Sequence, residues 1–458
     1  MVAAPASGSG KTTVATGLVG ALRRAGHRVA PFKVGPDYID PGYHGLAAGR
    51  PGRNLDPVLV GADRVVPLYR HGAQGCDLSV VEGVMGLFDG RIDDRHAGPV
   101  AEGSTAQVAA LLGAPVVLVV DARGHSQSLA ALLHGFATFD SGVRLGGVIL
   151  NRVGSERHDQ VLRAACDRVG LPVLGSLPRL AELEVPSRHL GLIPAVEHGA
   201  SATAAVAAMT DLVAAHVDLP AIAALARSSV TGSAWDPATA VRGCEETDGL
   251  EPLVAIAGGP AFTFGYAEHR ELLAAAGAQV AVFDPLHDEL PTATAGLVLP
   301  GGFPEEHAAE LAANSGLLRA VAEAVRHGMP VHAECAGLLY LTRSLDGHPM
   351  AGVVDADAEF GPRLTLGYRD AVALADSPLW RAGERVRGHE FHRTRLVSAP
   401  PRNPAWGWRG SAGERVREGA LIGNVHASYL HTHPAGNPEA VRRFATAAAR
   451  FAGSRAVG

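Results

Sequence analysis

The chain has 458 residues, of which 47% are hydrophobic and 19% charged, and its formal net charge is −6. That length is more than one hydrophobic core usually organises, so two or three domains are expected. The charge balance, without a long Lys/Arg block, argues against nucleic-acid partners and polybasic membrane attachment. No apolar run is long enough to span a membrane, and no signal-peptide pattern is present.

Cysteine usage points to a reducing compartment. The four cysteines, Cys76, Cys166, Cys244 and Cys335, are scattered without a CxxC pair. This distribution argues against a disulfide framework or a zinc site and predicts a cytoplasmic protein.

The first half of the sequence alternates between short apolar runs and helical stretches rich in alanine and leucine. Strands buried on both faces are predicted at 28–34, 77–83, 114–122 and 145–153, with a further strand in "PVLGSLPR". Helices are predicted at 105–113, 126–138 and 200–216. Buried strands separated by helices indicate a parallel sheet in an α/β fold.

A phosphate-binding loop is predicted in "APASGSGKTT" (4–13). Gly8 and Gly10 allow backbone N–H groups to point at phosphate oxygens, Lys11 can reach the β- and γ-phosphates, and Thr12 can ligate Mg²⁺. The strict GxxxxGK[ST] pattern has glycine where Pro5 stands, so the alternative is a glycine-rich turn before a helix. Few residues precede the loop, so its leading strand is expected to be very short or to lack N-terminal residues.

Three polar residues end predicted strands of this sheet: Lys33, Glu82 and Asn151. The carboxyl ends of parallel strands meet at one edge, where ligands bind in such folds. Glu82 can hold Mg²⁺ there, directly or through water, and Asn151 stands where such folds contact a base. The alternative for each residue is a solvated strand end.

The segment 218–250 is predicted to be a linker, because it has no clear period and collects Ser, Thr, Gly and Asp. It separates a first domain at 1–217 from a second domain at 251–458. The second domain is predicted to contain strands at 252–259, 278–286, 295–305 and 329–335, and helices at 267–276 and 305–327. The part from 350 to 434 has the alternation and turns of β structure, and a helix closes the chain.

A nucleophile is predicted in "PVHAECAGLLYL" (330–341), where a short strand ends at Cys335 and a helix follows at once. Small residues after Cys335 suit a sharp turn that exposes its side chain. A thiol is only slightly ionised at neutral pH and needs a base, which "VHASYLHTHP" (425–434) can supply. The alternative is a buried cysteine that packs as a small hydrophobic residue.

The histidines of that segment are the candidate bases. His426 is expected before a strand, and Tyr429, His431 and His433 are expected to share one face of it by the period of two, so that two imidazoles face one pocket. The competing interpretation is a metal site formed by the three histidines. "GHEFH" (388–392) has histidines three apart, unlike the HExxH motif of zinc enzymes.

Oxyanion donors are predicted at Gly301 and Gly302, in "LPGGFPE" (299–305), because these residues follow a strand and offer N–H groups. Cysteine, histidine and a glycine turn on one α/β unit indicate hydrolysis of an amide through a thioester.

The two halves together resemble the cobyrinic and hydrogenobyrinic acid a,c-diamide synthases over essentially the whole chain. Twelve ordered stretches carry the resemblance, which is far more specific than the phosphate loop alone. They are "APASGSGKTT", "PFKVGPDYIDPGYH", "NLDP", "VEGVMGLFDG", "GSTAQVAALLGAPVVLVVDARG", "LNRVGSERH", "PSRHLGLIPA", "DPLHDELP", "LPGGFPEEHAAEL", "HAECAGLLYL", "GHEFH" and "SYLHTHP".

The resemblance implies an N-terminal P-loop domain similar to dethiobiotin synthetase and a C-terminal class-I-like glutamine amidotransferase domain. The implied enzyme is a carbon–nitrogen ligase of cobalamin biosynthesis that converts the a- and c-acetate carboxylates of a corrinoid into amides. It uses two ATP and two L-glutamine, with Mg²⁺, through acyl phosphates. The oligomeric state is left open, with a homodimer as one candidate.

In the second domain the resemblance implies that Cys335 is the glutaminase nucleophile and His431 its base. Class-I glutaminases often place a glutamate two residues after the catalytic histidine, and here that position is His433. The third member of the triad is therefore unassigned, and the choice between His431 and His433 stays open.

In the first domain the resemblance implies three sets of site residues. ATP would be bound by Gly8, Ser9, Gly10, Lys11, Thr12, Thr13 and Asn151, with Asn151 at the adenine. Mg²⁺ would be held by Thr12 and Glu82. The carboxylate being activated would face Lys33, Asp37, Tyr38 and Asp40.

Two alternatives remain open from the sequence. One keeps the chemistry and changes the acceptor to another tetrapyrrole acetate, such as that of nickel-sirohydrochlorin. The other is a non-catalytic P-loop scaffold protein with an inactive glutaminase-like domain. The presence of cobalt in the substrate and the route of ammonia are likewise left open.

Overall fold

A computed structural model describes residues 1–92, 98, 100–140, 142–179, 187–188, 191–226, 230–243, 250–397, 402–410 and 412–457. The chain divides into two compact units, Met1–Trp235 and Asp236–Gly458. Cys244 and part of the stretch 186–195 lie outside the described residues. None of the described helices combines the length and apolar character needed to cross a membrane.

The first unit contains nine strands and ten helices among its described residues. The strands are β1 (Val2–Ala3), β2 (Val29–Val34), β3 (Arg53–Leu55), β4 (Leu78–Glu82), β5 (Val116–Asp121), β6 (Leu145–Val153), β7 (Val173–Pro178), β8 (Ser187–Arg188) and β9 (Gly191–Leu192). The helices are α1 (Lys11–Arg24), α2 (Asp40–Ala48), α3 (Pro57–Val60), α4 (Ala62–Gly72), α5 (Thr105–Leu112), α6 (Leu129–Thr138), α7 (Glu156–Asp167), α8 (Ala195–His198), α9 (Ala200–His216) and α10 (Leu219–Leu225).

Seven strands of the first unit form one parallel sheet in the order β3-β2-β4-β1-β5-β6-β7. β2 is buried at every position and β5 at all but its last, as expected for apolar strands covered on both faces. The predicted parallel sheet is confirmed. Because β1, β2, β4 and β6 run in the same direction, the loop after β1 meets Lys33, Glu82 and Asn151 at one edge of the sheet.

Among the described residues that precede its first strand, the second unit has one short helix, α11 (Pro237–Ala240). Its strands are β10 (Leu253–Ala257), β11 (Gln279–Phe283), β12 (Thr294–Leu299), β13 (Val331–Glu334), β14 (Ser344–Leu345), β15 (His348–Pro349), β16 (Asp357–Ala373), β17 (Arg385–Leu396), β18 (Trp406–Arg409), β19 (Arg415–Glu418), β20 (Ala420–Ile422), β21 (Val425–Ser428) and β22 (His431–Thr432). Its other α-helices are α12 (Ala267–Ala275), α13 (Ala308–Ala313), α14 (Ser315–Arg326), α15 (Ala336–Leu341) and α16 (Pro438–Val457), and 3₁₀ turns span Pro304–His307 and Pro434–Gly436.

Two sheets organise the second unit. The first has the order β11-β10-β12-β13-β21-β20 and is parallel except for β20, which runs antiparallel to β21. The second is built on the long antiparallel pair β16 and β17, and β22 pairs with β17. The chain therefore leaves the first sheet after Ser428 and enters the second sheet at His431.

That change of sheet corrects two predictions. His426 lies inside β21, where it pairs with His332 of β13, and not before a strand. Tyr429, His431 and His433 do not share one face of a single strand, because β21 ends at Ser428 and β22 spans only His431–Thr432. The period of two holds only within a continuous strand.

The predicted helix at 305–327 is also interrupted. The 3₁₀ turn Pro304–His307 leads into α13, and Asn314 separates α13 from α14. The Asn314 side chain accepts a hydrogen bond from the backbone N–H of Leu317 and donates to the backbone oxygens of Pro285 and Asp288. Asparagine is a preferred N-cap, so a new helix begins there. The predicted linker 218–250 contains α10 and α11.

Candidate active site

The phosphate-binding loop connects β1 to α1 through two glycines in the left-handed region. Gly8 has φ 78° and Gly10 has φ 94°, conformations that glycine adopts at little cost. A Cβ at Gly10 would lie 2.2 Å from Nδ2 of Asn151. The Asn151 amide donates a hydrogen bond to the backbone oxygen of Ser9 at 2.9 Å. The structure thus brings Asn151 directly against the loop.

Lys11 begins α1 and folds over the loop. Its Nζ donates to the backbone oxygen of Met85 at 2.6 Å, and burial together with the charge of Lys33 lowers the pKa of Lys11. A lysine that has lost hydration gains strongly from an anionic partner, which is the interaction a nucleotide phosphate offers.

Four charged or polar side chains meet beside the loop. The Thr12 hydroxyl lies 2.8 Å from Oε1 of Glu82 and 3.2 Å from Oδ2 of Asp40. The Lys33 ammonium lies 2.6 Å from the same Asp40 oxygen and 3.0 Å from the same Glu82 oxygen. Lys33, Asp40 and Glu82 are all buried. The structure therefore brings together Thr12 and Glu82, predicted at a metal, with Lys33 and Asp40, predicted at a carboxylate substrate.

The two carboxyl groups of this cluster, those of Asp40 and Glu82, have different pKa values. Burial and the neighbouring Asp37 raise the pKa of Asp40 to about 7. Burial also opposes ionisation of Glu82, but Lys33 and His44 outweigh it and hold the pKa of Glu82 at about 2. Burial disfavours the Lys33 ammonium, yet its carboxylate partners raise the pKa of Lys33. An ionised Glu82 beside a protonated Lys33 follows.

The remaining substrate candidates lie on the turn that leads into α2. Oδ1 of Asp37 accepts hydrogen bonds from the backbone N–H groups of Ile39 and Asp40 at 2.8 and 3.0 Å. Its Oδ2 lies 3.9 Å from Nζ of Lys33. Tyr38 is largely buried on the same turn. Asp37 thus fixes the turn and adds negative charge to the cluster.

The sequence interpretation missed His44 and Arg152 in the first unit. Nε2 of His44 lies 2.8 Å from Oε2 of Glu82, opposite Lys33. Arg152 donates to the backbone oxygen of Gly8 at 2.8 Å and to Asp121 at 2.6 Å. His44 stands four residues after Asp40, one helical turn along α2, and that spacing was the signal that could have found it.

Cys335 occupies the turn between β13 and α15 and has φ 48° and ψ −97°. This conformation is uncommon for a residue with a side chain. The Cys335 N–H donates to the backbone oxygen of Ser428 at 2.7 Å. A Cβ at Gly337 would lie 2.2 Å from the backbone oxygen of Leu299, so the small residues after Cys335 let α15 approach β12 closely. Cys335 is 3% exposed, and burial followed by the charge of Glu305 raises its thiol pKa well above the usual range.

The glycine pair after β12 is joined to both the cysteine turn and His431. The N–H of Gly337 donates to the backbone oxygen of Pro300 at 3.2 Å. A Cβ at Gly301 would lie 2.3 Å from Cε1 of His431, and a Cβ at Gly302 would lie 2.1 Å from the backbone oxygen of Ala261. The His431 ring therefore rests against Gly301. The preceding residue, Pro300, is the one that contacts α15 through Gly337.

His433 has a different environment. Its Nδ1 accepts a hydrogen bond from the backbone N–H of Ala435 at 3.2 Å, and its ring packs on Tyr266 with centroids 4.0 Å apart. His426 lies 3.3 Å from the hydroxyl of Ser377 through Nδ1, and burial lowers its pKa to about 3. Among the described residues, no group of three or more His, Cys, Asp or Glu side chains could hold a metal ion.

A residue that the sequence interpretation left without a role also reaches His431. Oε2 of Glu334 lies 3.7 Å from Nδ1 of His431, and both side chains are buried or nearly so. Burial opposes ionisation of Glu334, but His332 and His431 hold its pKa well below the usual range. The position directly before Cys335 was the only sequence signal for it.

The motif "GHEFH" lies in β17, beside β22. His389 pairs with His431 across the strands, and burial lowers the pKa of His389 to about 3. Glu390 forms an ion pair with Arg369 at 2.6 Å, and the ring of His392 stacks on Tyr429 with centroids 3.9 Å apart. The motif packs around the His431 strand.

Comparisons with known proteins give a family match for each of the two units. Residues 1–193 match the family of CobQ/CobB/MinD/ParA nucleotide binding domains, and residues 253–438 match the CobB/CobQ-like glutamine amidotransferase domain. The chain is 63% identical to the hydrogenobyrinate a,c-diamide synthase of Mycobacterium tuberculosis, covering 98% of this chain and 97% of the relative. It is 57% identical to the protein of that name from Streptomyces coelicolor, with 97% and 96% covered. It is 42% identical to the cobyrinate a,c-diamide synthase of Gloeobacter violaceus, with 97% and 95% covered. With a nucleotide-binding unit and a glutamine amidotransferase unit in one chain, the protein belongs to the family of hydrogenobyrinate and cobyrinate a,c-diamide synthases.

Proposed function

We propose that the protein is a carbon–nitrogen ligase of cobalamin biosynthesis that uses ATP and glutamine to amidate the a- and c-acetate carboxylates of hydrogenobyrinic acid. The observation that carries the proposal is identity of 63% and 57%, along nearly the whole chain, to relatives named for hydrogenobyrinate. The relative named for cobyrinate is 42% identical, so cobyrinic acid is the second acceptor.

The first unit activates the carboxylate. An acetate oxygen attacks the γ-phosphorus of ATP, an acyl phosphate forms, and ADP leaves. Lys11 and the N–H groups of Gly8–Thr13 hold the phosphates, because a lysine ammonium and the N–H groups at the start of a helix complement the negative charge of phosphate. The acyl phosphate is needed because a carboxylate resists attack by ammonia until it carries a leaving group.

The cluster beside the loop fits a magnesium ion. The Thr12 hydroxyl lies within 3.2 Å of carboxylate oxygens of Glu82 and Asp40, and oxygen donors are the ligands that Mg²⁺ prefers. When bound, the ion neutralises charge on the phosphate oxygens. Lys33, Asp37, Tyr38 and Asp40 are proposed to face the acetate, and Asn151 the adenine.

The second unit releases ammonia. The Cys335 sulfur attacks the side-chain amide carbon of glutamine, and the N–H groups of Gly301 and Gly302 bind the oxyanion. His431 takes the thiol proton and returns it to the leaving nitrogen, so that ammonia departs and a thioester remains. Water then cleaves the thioester to give glutamate and free thiol. Ammonia displaces phosphate from the acyl phosphate, which forms the amide.

His431 is favoured over His433 as the base. The ring of His431 rests on Gly301 and faces Glu334, whereas Nδ1 of His433 accepts a hydrogen bond from the turn that precedes α16. A cytoplasmic location and a homodimer, considered from the sequence, stay predictions.

The test is product analysis by mass spectrometry with purified protein, ATP, Mg²⁺ and glutamine. Hydrogenobyrinic acid, cobyrinic acid and nickel-sirohydrochlorin are supplied in parallel. We expect the a,c-diamide of hydrogenobyrinic acid, with two ATP and two glutamine consumed per product. If the protein is inactive on both corrinoids and active on the nickel compound, nickel-sirohydrochlorin is the acceptor and the proposed corrinoid is wrong. Inactivity on all three compounds would contradict the proposal.

A further inference from the structure

We propose that Glu334 is the positioning carboxylate of the glutaminase site, holding His431 so that it can take the proton of Cys335. The proposal rests on the proposed glutaminase function of the second unit. It fills the third position of a cysteine–histidine–carboxylate arrangement with the residue that directly precedes the nucleophile, and not with one that follows the histidine.

The two oxygens of Glu334 have different partners. Oε1 accepts hydrogen bonds from the backbone N–H and the hydroxyl of Thr432, at 3.0 and 2.9 Å, and Nε2 of His332 lies 3.2 Å from it. Oε2 is the oxygen that lies 3.7 Å from Nδ1 of His431. One oxygen is thus anchored, and the anchor turns the other toward the imidazole.

The backbone fixes both ends of this contact. Glu334 is the last residue of β13, where it pairs with Ser428 of β21, and the following N–H, that of Cys335, donates to the Ser428 oxygen. His431 is held by its pairing with His389 of β17. The carboxylate therefore bridges the end of one sheet and the first strand residue of the other.

The contact determines which nitrogen of His431 can act. A carboxylate beside Nδ1 favours a proton on Nδ1, which leaves the lone pair of Nε2 to accept the thiol proton. A distance of 3.7 Å is longer than a hydrogen bond, but such contacts tighten when substrate binds and the imidazole becomes charged. The imidazolium that forms is stabilised by the buried negative charge.

The other ionisable groups around this pair lie on several elements. His332 on β13 and His269 on α12 both interact with Glu334. His389 on β17 interacts with His431. Glu305 and Glu390 act on Cys335. A variant that changes only Glu334 leaves these groups in place, so its pH dependence isolates the charge of Glu334.

Glu334→Gln is the informative change, because the amide keeps an oxygen for Thr432 and removes the charge that faces His431. An amide N–H toward Nδ1 favours the tautomer that cannot accept the thiol proton. Loss of the orienting carboxylate costs up to about 10⁴-fold in a serine triad. We expect glutaminase kcat to fall at least about 30-fold, with KM changed less than about threefold.

The pH profile distinguishes a positioning role of Glu334 from a merely structural one. Glu334 is one of the charges that raise the pKa of the Cys335 thiol. Removing that charge lowers the thiol pKa, so the limb of the glutaminase kcat/KM profile that reports the thiol should move to lower pH. The same shift should be seen in the rate of Cys335 alkylation by iodoacetamide, measured by mass spectrometry. Glu334→Asp keeps the charge, so it should recover most of the activity with that limb unshifted.

Glu418→Gln is the matched control, since Glu418 is a half-buried carboxyl that accepts hydrogen bonds from Ser428 and Tyr429. It should change glutaminase kcat less than about threefold, and synthesis driven by ammonium salt should persist in Glu334→Gln. Unchanged kcat in Glu334→Gln, loss without a pH shift, or a shifted thiol limb in Glu334→Asp would each overturn the proposal. A wild-type protein that does not hydrolyse glutamine would contradict the proposed function instead.

Discussion

Cys335 combines a constrained backbone with an unfavourable environment for a free thiolate. A non-glycine residue in the left-handed region costs of order 1–3 kcal/mol, and the hydrogen bond from Cys335 to Ser428 with the close packing of α15 on β12 maintains it. Burial and surrounding carboxylates raise the thiol pKa. The thiol therefore stays protonated until a base is aligned. Activity should then depend strongly on the residues that hold His431 in place.

Gly301→Ala should displace that histidine. A new Cβ would lie 2.3 Å from Cε1 of His431 and 3.2 Å from the Cβ of Phe264, and a buried ring held by strand pairing has little room to move. We expect glutaminase kcat to fall at least about tenfold, as in the loss of other site-positioning groups, while ammonium-driven synthesis is kept. Gly316→Ala, where a Cβ would meet nothing within 4 Å, is the control. Equal activity of the two variants would contradict the close contact.

Glu418 should make stability depend on pH. Burial raises its pKa to about 7, so its contribution to stability is complete below its unfolded pKa and is lost as pH rises through about 7. The shift corresponds to about 3 kcal/mol in total. Glu418→Gln does not titrate, so the Tm of the variant minus that of the wild type should increase between about pH 5.5 and pH 8.5. A constant difference would show that the carboxyl is not perturbed.

At the scale of elements, α1 is placed by its packing against α9. A Cβ at Gly17 would lie 2.4 Å from the backbone oxygen of Met209, and one at Gly20 would lie 2.1 Å from the hydroxyl of Thr210. The two helices can approach this closely only because these residues lack side chains. The N-terminus of α1 carries Lys11 and Thr12, so the same packing positions the phosphate site.

Gly17→Ala should therefore destabilise the first unit, although alanine normally favours a helix. Backbone atoms would have to shift, which costs about 1–3 kcal/mol. Gly135→Ala, in α6 with nothing within 4 Å of the new Cβ, should instead stabilise by about 0.5–1 kcal/mol. Differential scanning calorimetry should show Tm changes of opposite sign. A gain in Tm for both variants would mean that α1 and α9 have room to separate.

At the scale of the whole molecule, the two units divide one reaction. The first unit holds the phosphate loop with the cluster of Thr12, Lys33, Asp40 and Glu82, and the second holds Cys335 with His431. Ammonia is largely protonated in neutral solution, so release of nitrogen from glutamine supplies the unprotonated, reactive form. Each half-reaction can then be removed separately.

Cys335→Ala should abolish glutamine-driven synthesis and keep synthesis driven by added ammonium salt, because the first unit still forms the acyl phosphate. The measurement is the diamide yield with each nitrogen source. Cys166→Ala, at a buried free cysteine of the first unit, is the control and should keep both activities. Full glutamine-driven turnover in Cys335→Ala would reject Cys335 as the nucleophile.

Lys11→Ala should abolish the diamide with either nitrogen source, because the carboxylate is no longer activated. Glutamine hydrolysis in the second unit should persist at a measurable rate, since it needs no acyl phosphate. The diamide is measured by mass spectrometry and glutamate by a coupled assay. Ammonium-driven diamide formation at the wild-type rate would exclude Lys11 from the phosphate site.

The sequence determined the parts that depend on short-range order. Apolar runs predicted the parallel strands, because buried strands need no polar face, and the ends of those strands located Lys33, Glu82 and Asn151. The glycines of the phosphate loop and the turn at Cys335 were predictable because their backbone conformations demand small residues nearby. Family resemblance added the pairing of a nucleotide unit with an amidotransferase unit.

Only the tertiary structure decided which side chains meet across elements. The approach of His44 to Glu82, the contact of Asp40 with Thr12 and the ring of His431 on Gly301 all depend on strand register and helix placement. His431 and His433 were separated because the chain changes sheets between Ser428 and His431, which ends the period of two. Glu334 meets His431 for the same reason: spacing along a chain fixes neighbours within an element, whereas contacts between elements are set by packing.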